Sequence, residues 1–400
     1  MLEHLGDIQI ELAARKLEGW LIYDFRGQNP VAALALGLEG RTLTRRFFFW
    51  IPAEGIPVLV VHETEAGSFP HLVGDRVRYS GWGALRAGVS RVLPSRGQIA
   101  MEYCPMGSNP YLSWVDAGTL ELVRSYGPTV VSSGDLVQLF LCRWSPEELG
   151  SHRRTAEALG RIKDAALGFA GGRLEHGERV LESEVQGHVL SAMGEAGLTS
   201  GGPPIVAAGP HTGNPHYLPG DESGRALSPG DLLLIDLSAR ETSSSGVFAE
   251  LAWMAHVGGP VASAHEEAFA VVVRAREAAL SLIRARIAEG RRVLGFEVDR
   301  AARDVVRGAG FGEHFVHRTG HHLGRAMNSG YGCTLDDFEI HDTRALVQGL
   351  AWSVHPGVYF EEFGVRTGLS VYWGEAGLEV HTPTQDRIEQ IPALAAINRL

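Results

Sequence analysis

The sequence predicts an α+β protein built in two parts, and three observations carry that prediction. Apolar residues recur at helical spacing in some segments and in short strand-like runs in others, along all 400 residues. A change of texture at RWSPEELGSHRRTAEALGRIKDAALGF divides the chain into residues 1–142 and 143–400. In the second part, helices alternate with long apolar strands that carry polar residues at their ends, which is the texture of an enzyme.

In the first part, Leu2, Leu5, Ile8 and Leu12 predict a helix, and GWLIYD after it a strand. RFFFWIP and GIPVLVVHE, joined by Ala53, Glu54 and Gly55, predict a hairpin. GQIAMEY reads as a strand and WVDAGTLELVRSYG as a helix that stops on glycine. In the second part, Ser145 caps a long helix, Pro146 suits its first turn, and Glu148 completes a capping box. SEVQGHVLSAMGEAG, SAHEEAFAVVVRAREAALSLIRARIAEG and EVDRAARDVVRGAG predict three more helices, the middle one with Ser263 and Glu266 as a second capping box. DLLLIDLSAR, GVFAELAWMAHVG, LAWSVHPGVYF and FGVRTGLSVYWGEAGLEVHT are strand-like.

Hydrophobic residues at 44% and charged residues at 21% are enough for an ordinary buried core. The formal charge of −11 argues against nucleic acid as a partner, and no basic run suggests a membrane surface. Cys104, Cys142 and Cys333 are isolated, without CxxC spacing, so a reducing cytoplasm is expected rather than a disulfide framework. MLEHLGDIQIELAARKLEGW carries acids and lacks the apolar block of a signal peptide, and no window approaches a membrane span of about 18 apolar residues.

Five places put acid/base or metal-capable residues in apolar or glycine-rich surroundings. Asp236 ends LLLID, and Glu250 interrupts VFAELAWMA, where a buried carboxylate needs a partner. His317, His321 and His322 lie among glycines in FVHRTGHHLG. His355 precedes the Pro-Gly corner of SVHPGVYF, and His216 lies in GNPHYLPGD. Each has an ordinary structural reading: a turn cap, a paired core carboxylate, a histidine bonded to backbone. The spacing is not that of a zincin or zinc finger, so pattern alone leaves the choice open.

NPHY at 214–217, GDLLLIDLSAR at 230–240, HRTGHHLG at 317–324, DTRALVQGLAWSVHPGVY at 342–359 and GVRTG at 364–368 occur in an informative order. With them the whole chain resembles the pita-bread metallopeptidase family, which takes in Xaa-Pro aminopeptidase, prolidase (Xaa-Pro dipeptidase) and creatinase. The resemblance implies an N-terminal creatinase/prolidase-like α/β domain over 1–142 and a pita-bread catalytic domain over 143–400. It also implies a homodimer and a metallopeptidase that cleaves small proline-containing peptides.

In that family, Asp, Asp, His, Glu and Glu hold two divalent metals. The resemblance carries the first Asp to Asp236, the second to Glu250 and the His to His321. The first Glu falls on His355 and the second on Gly368. Two close dications need anionic bridges to offset their repulsion, and this set keeps only two carboxylates. A single-metal site of Glu250, His321 and His355, holding zinc, manganese or iron, is therefore expected in place of the pair. Glu361, Glu362 and Glu375 are alternative sources of a missing carboxylate. The family's substrate-side histidines fall on His216 and His317, and a further one on Asn328; Arg366 is expected to meet a substrate carboxylate. Two other readings stand beside the peptidase: a metal-independent, creatinase-like hydrolase of a small C–N substrate with His216 as acid/base, and a non-catalytic peptide binder. If the site is a decayed pair, returning glutamates at 355 and 368 is expected to raise metal occupancy.

Overall fold

In a computed structural model, which describes residues 4–220, 224–326 and 330–393, the chain forms two compact units, Met1–Arg143 and Trp144–Leu400. The first contains α1 (Leu5–Ala14), β1 (Gly19–Phe25), α2 (Pro30–Leu36), β2 (Arg46–Pro52), β3 (Val58–His62), β4 (Asp75–Tyr79), α3 (Trp82–Val92), β5 (Gln98–Met101), α4 (Ala117–Arg124), β6 (Thr129–Ser132) and α5 (Gly134–Leu141). Its six strands run in the order β4-β3-β2-β1-β5-β6. The hairpin β2–β3 is antiparallel, as expected from its two apolar runs, and β5 and β6 extend the sheet in parallel. Leu21, Phe48, Trp50, Val60 and Ile99 form the centre of this unit's core.

The second unit opens with α6 (Pro146–Glu175) and α7 (Glu182–Glu195), then β7 (Leu198–Ser200), β8 (Ile205–Ala208), β9 (Leu232–Glu241) and β10 (Ala249–Val257). There follow α8 (Ser263–Ala288), α9 (Gly295–Gly308), β11 (Gly320–Leu323), β12 (Ala351–Val354), β13 (Gly357–Tyr359), β14 (Gly364–Arg366), β15 (Leu369–Gly374), β16 (Gly377–Val380) and β17 (Glu389–Ile391). The first capping box forms as read: the Ser145 hydroxyl accepts from Glu148 N–H, and the Glu148 carboxylate accepts from Ser145 N–H. The second does not. α8 begins at Ser263 itself, behind Ala262 as N-cap, so the serine stands one place too late for its hydroxyl to reach back.

One sheet has the order β17-β10-β9-β7, with β8 also on β9; a second has β11-β12-β15-β16; β13 and β14 form a short hairpin. In β9 and β10, Leu233, Ile235, Leu237, Ala239, Ala249, Leu251 and Ala255 pack into a core with Leu159, Ile162 and Ala166 of α6. Side chains alternate along a strand, so Asp236, Ser238, Glu250 and Ala252 must face the other way. The antiparallel register sets Glu250 opposite Ser238 and Ala252 opposite Asp236. Asp236 is thus a mid-strand residue, not a strand end, because β9 runs on to Glu241.

The two larger sheets meet on this polar face. Ala252 N–H donates to Gly368 O at 3.1 Å, and Gly368 N–H donates back to Ala252 O at 3.2 Å. The Ser370 hydroxyl accepts from Glu250 N–H at 2.9 Å and donates to Glu250 O at 3.0 Å. β11 and β12 pair so that His321 lies opposite Ser353. His355, between β12 and the Pro-Gly corner, is fixed by donating its N–H to Thr319 O at 2.8 Å. Among the described residues no helix is long and apolar enough to cross a membrane.

Candidate active site

Glu250, His321 and His355 each present a ligand-capable atom within 4.8 Å of the others, the one such group among the described residues. His321 Nε2 lies 3.2 Å from Glu250 Oε2, and His355 Nδ1 lies 4.0 Å from the same oxygen. The His321 side chain is 7% exposed, while Glu250 at 13% and His355 at 16% keep slightly more contact with solvent.

Burial alone would push the Glu250 carboxyl up. The charge and hydrogen bond of His321, with the hydroxyls of Ser353 and Ser238, outweigh that and hold it below the usual range. Burial, the neighbouring histidines, Arg366 and Arg318 hold His355 well below the usual imidazole value, so its ring is neutral. The Ser353 hydroxyl lies 2.7 Å from His355 Nδ1, and that of Ser238 donates to Glu250 Oε1 at 3.2 Å. Both hydroxyls contact the group and orient it.

His321 decides what the group can hold. Its Nδ1 is 3.2 Å from the carbonyl oxygen of His322, which can only accept, so Nδ1 carries the hydrogen. Nε2 is then the nitrogen that faces the Glu250 carboxylate oxygen, at 3.2 Å, in an ion pair when it carries a proton and as a ligand atom when a cation takes that proton's place. Two lone pairs stay so close only with a proton or a cation between them. One carboxylate and two imidazoles match a divalent zinc, manganese or iron ion.

These residues offer a second ion fewer donors. Asp236 is bound by the Arg366 guanidinium and stands outside the group. That cation offsets its charge. Gly368 brings no side chain, and a Cβ there would come within 2.8 Å of Ala252 Cβ. Glu361, Glu362 and Glu375 are exposed and outside the group, in the turns that follow β13 and β15, so none replaces a ligand.

Beside the group runs a chain of hydrogen bonds whose direction is determined. His317 Nδ1 donates to Arg318 O at 2.7 Å, so its Nε2 accepts from the Tyr359 hydroxyl at 2.8 Å. That hydroxyl in turn accepts from Arg366 Nε at 2.6 Å. Arg366 also binds Asp236 and donates to Pro215 O at 3.3 Å. Burial and Arg366 hold His317 down at about 3, so it is neutral with both nitrogens in use. Burial raises Asp236, while Arg366 works against that rise. Tyr359 was not anticipated from sequence; its place four residues after His355, in the same strand-corner-strand unit, was the available signal.

The Arg366 nitrogens are held by protein partners, which weighs against a free fork for a substrate carboxylate. His216 is exposed, its N–H donates to Asn214 Oδ1 at 3.0 Å, and its imidazole has no hydrogen-bond partner among the described residues. The expectation for Asn328 falls outside the described residues.

With this geometry in place, comparison gives the same direction. Residues 152–375 match the sequence profile of metallopeptidase family M24. The chain is 26% identical over 329 residues to a probable dipeptidase PepE of Mycobacterium tuberculosis, covering 81% of this chain and 80% of that one. It is 29% identical over 189 residues to a Xaa-Pro dipeptidase of Lactobacillus helveticus, over 47% and 46% of the two chains. The crystal structure of dipeptidase PepE from Mycobacterium ulcerans superposes with a TM-score of 0.70 at 22% identity, over 98% of each chain.

Proposed function

Because the chain belongs to metallopeptidase family M24, we propose that it is a Xaa-Pro dipeptidase-like hydrolase of small proline-containing peptides, working with one divalent ion instead of two. The observation that carries this reading is the convergence of Glu250, His321 and His355 within 4.8 Å, beside an Asp236 already taken by Arg366.

Glu250, His321 and His355 would hold a divalent ion, which would supply Lewis acidity toward a peptide carbonyl. The remaining work belongs to the chain. Glu250, held ionised, would supply the negative charge that retains the ion, with its Oε1 oriented by the Ser238 hydroxyl. His216, free on its loop, delivers a proton to the leaving nitrogen. Tyr359 is held by His317 and Arg366 with its hydroxyl hydrogen committed to His317 Nε2, so it fixes the wall of the site rather than donating to substrate.

The test is hydrolysis of a proline dipeptide such as Ala-Pro by protein preincubated with manganese or zinc. Turnover that is lost on chelation and restored by one added ion is expected. Turnover that survives complete chelation overturns the metal reading and selects the creatinase-like alternative, with His216 as acid/base. Absence of turnover on Xaa-Pro and other dipeptides alike overturns the peptidase reading.

A further inference from the structure

Glu182, the first residue of α7, is fully buried. A carboxylate at such a place accepts hydrogen bonds or costs stability. This one is saturated. Oε1 accepts from Ala208 N–H at 2.6 Å and from His211 Nδ1 at 2.9 Å. Oε2 accepts from the Tyr217 hydroxyl at 2.7 Å and from Arg225 N–H at 2.8 Å.

The donors are not scattered. Ala208 ends β8, Arg225 lies on the far side of the loop that follows, and His211 and Tyr217 lie within it, their rings stacked 4.2 Å apart. One carboxylate therefore ties both ends and two interior points of a single loop. His216 is the residue next to Tyr217 and carries the one free imidazole of the site among the described residues. Its other side is held as well, because Pro215 O accepts from Arg366 and Asn214 Oδ1 accepts from His216 N–H. Thr212 completes the attachment, its hydroxyl accepting from Gly364 N–H at 2.9 Å beside β14. Burial and Glu182 together raise the Tyr217 phenol above its ordinary value, so the bond from its hydroxyl persists through the neutral range.

We infer that Glu182 is a positioning residue for catalysis, fixing the loop that aims His216 into the active site; this rests on the reading of His216 as the histidine that serves the substrate. Glutamine at 182 keeps the size but turns one acceptor into an NH₂ group, which faces donors. Whichever way the amide turns, its NH₂ meets a backbone N–H, that of Ala208 or of Arg225, so that tie of the loop is lost while the helix that bears the residue is unchanged. A displacement of about 1 Å at a catalytic group is enough to cost on the order of 100-fold in rate.

The experiment is a double-mutant cycle on the metal-loaded full chain with Ala-Pro as substrate, using Glu182→Gln, His216→Ala and the pair. Glu182→Gln is expected to lower kcat about 10- to 100-fold with KM changed less than about threefold, and to add nothing in the His216→Ala background. Losses that multiply in the double variant overturn the inference, because a general structural defect would act independently of His216. If His216→Ala leaves turnover intact, or the wild type turns over nothing, the reading of His216 fails on its own. Hydrogen exchange then decides for Glu182. Faster exchange across residues 205–220 in Glu182→Gln, with the rest of the chain unchanged, is the expected result, and unchanged exchange there overturns the inference.

Discussion

Replacing Gly368 tests whether the missing fifth ligand is an accident of sequence or is enforced by packing. The residue forms a two-hydrogen-bond bridge with Ala252 across the junction of the two sheets. A Cβ at 368 would lie 2.8 Å from Ala252 Cβ, 3.0 Å from Ala252 N and 3.3 Å from His355 Cβ. Carbon atoms pack best at about 3.5–4.0 Å, so the closest contact is short by roughly 0.7–1.2 Å. The neighbour is a methyl fixed to backbone and cannot swing aside. Gly368 is not among the positive-φ glycines, so the cost is steric rather than torsional. Overpacking of this kind costs about 1–3 kcal/mol. For a domain of this size that lowers Tm by about 2–12 °C. Gly368→Ala is the clean probe, followed by thermal melts of the wild type, the variant and Ala252→Gly/Gly368→Ala, in which the second change reopens the space. A single variant within about 0.5 kcal/mol of wild type, the scatter of an ordinary surface change, refutes the argument. So does a double variant with no recovery relative to Ala252→Gly alone. The same contact reverses an expectation from sequence: a glutamate at 368 should destabilise the unit and leave metal occupancy at or below one ion per chain.

Two further perturbations follow from the site and its surroundings. Arg366→Met strands Asp236 without its cation and leaves Tyr359 without a donor; breaking such a pair costs about 3–5 kcal/mol, to be read by urea unfolding, and a loss below about 1 kcal/mol contradicts it. His152 is fully buried, and burial with His381 beside it holds its pKa down at about 3. The unfolded imidazole takes its proton near pH 6.5, so between about 6.5 and 3 the unfolded state binds more protons and stability falls as pH is lowered, by about 1.4 kcal/mol per pH unit. Melts of wild type and His152→Gln between pH 6 and 4 should show a shallower slope in the variant; equal slopes contradict the assignment.

What was legible in the sequence is local. The Ser145 capping box, the β2–β3 hairpin and the apolar runs of β9 and β10 are written in adjacent residues and appear as read. The group of Glu250, His321 and His355 was legible through the family resemblance, which carried ligand positions onto those residues, whereas the residue pattern alone left the choice open. The partners of that group were not. The pairing of Asp236 with Arg366 joins positions 130 residues apart and depends on the register of two different sheets, which no local pattern encodes. Ser353 and Ser238 look like ordinary strand serines until the pleat turns them toward His355 and Glu250. Glu182 looks like an acidic residue in the first turn of a helix, where a charge normally faces solvent; only the loop folded over it makes it a buried acceptor of four hydrogen bonds. Ser263 errs in the opposite direction: a serine three residues before a glutamate has the form of a capping box, but one residue of helix start decides whether the hydroxyl caps.

The central claim is that this chain holds one divalent ion where the resemblance calls for two. Elemental analysis of protein purified without chelator, and again after incubation with manganese and with zinc, tests it most directly. The account predicts one ion per chain in the loaded protein and none in a Glu250→Gln, His321→Ala variant. Two ions per chain, or one that persists in that variant, would contradict it.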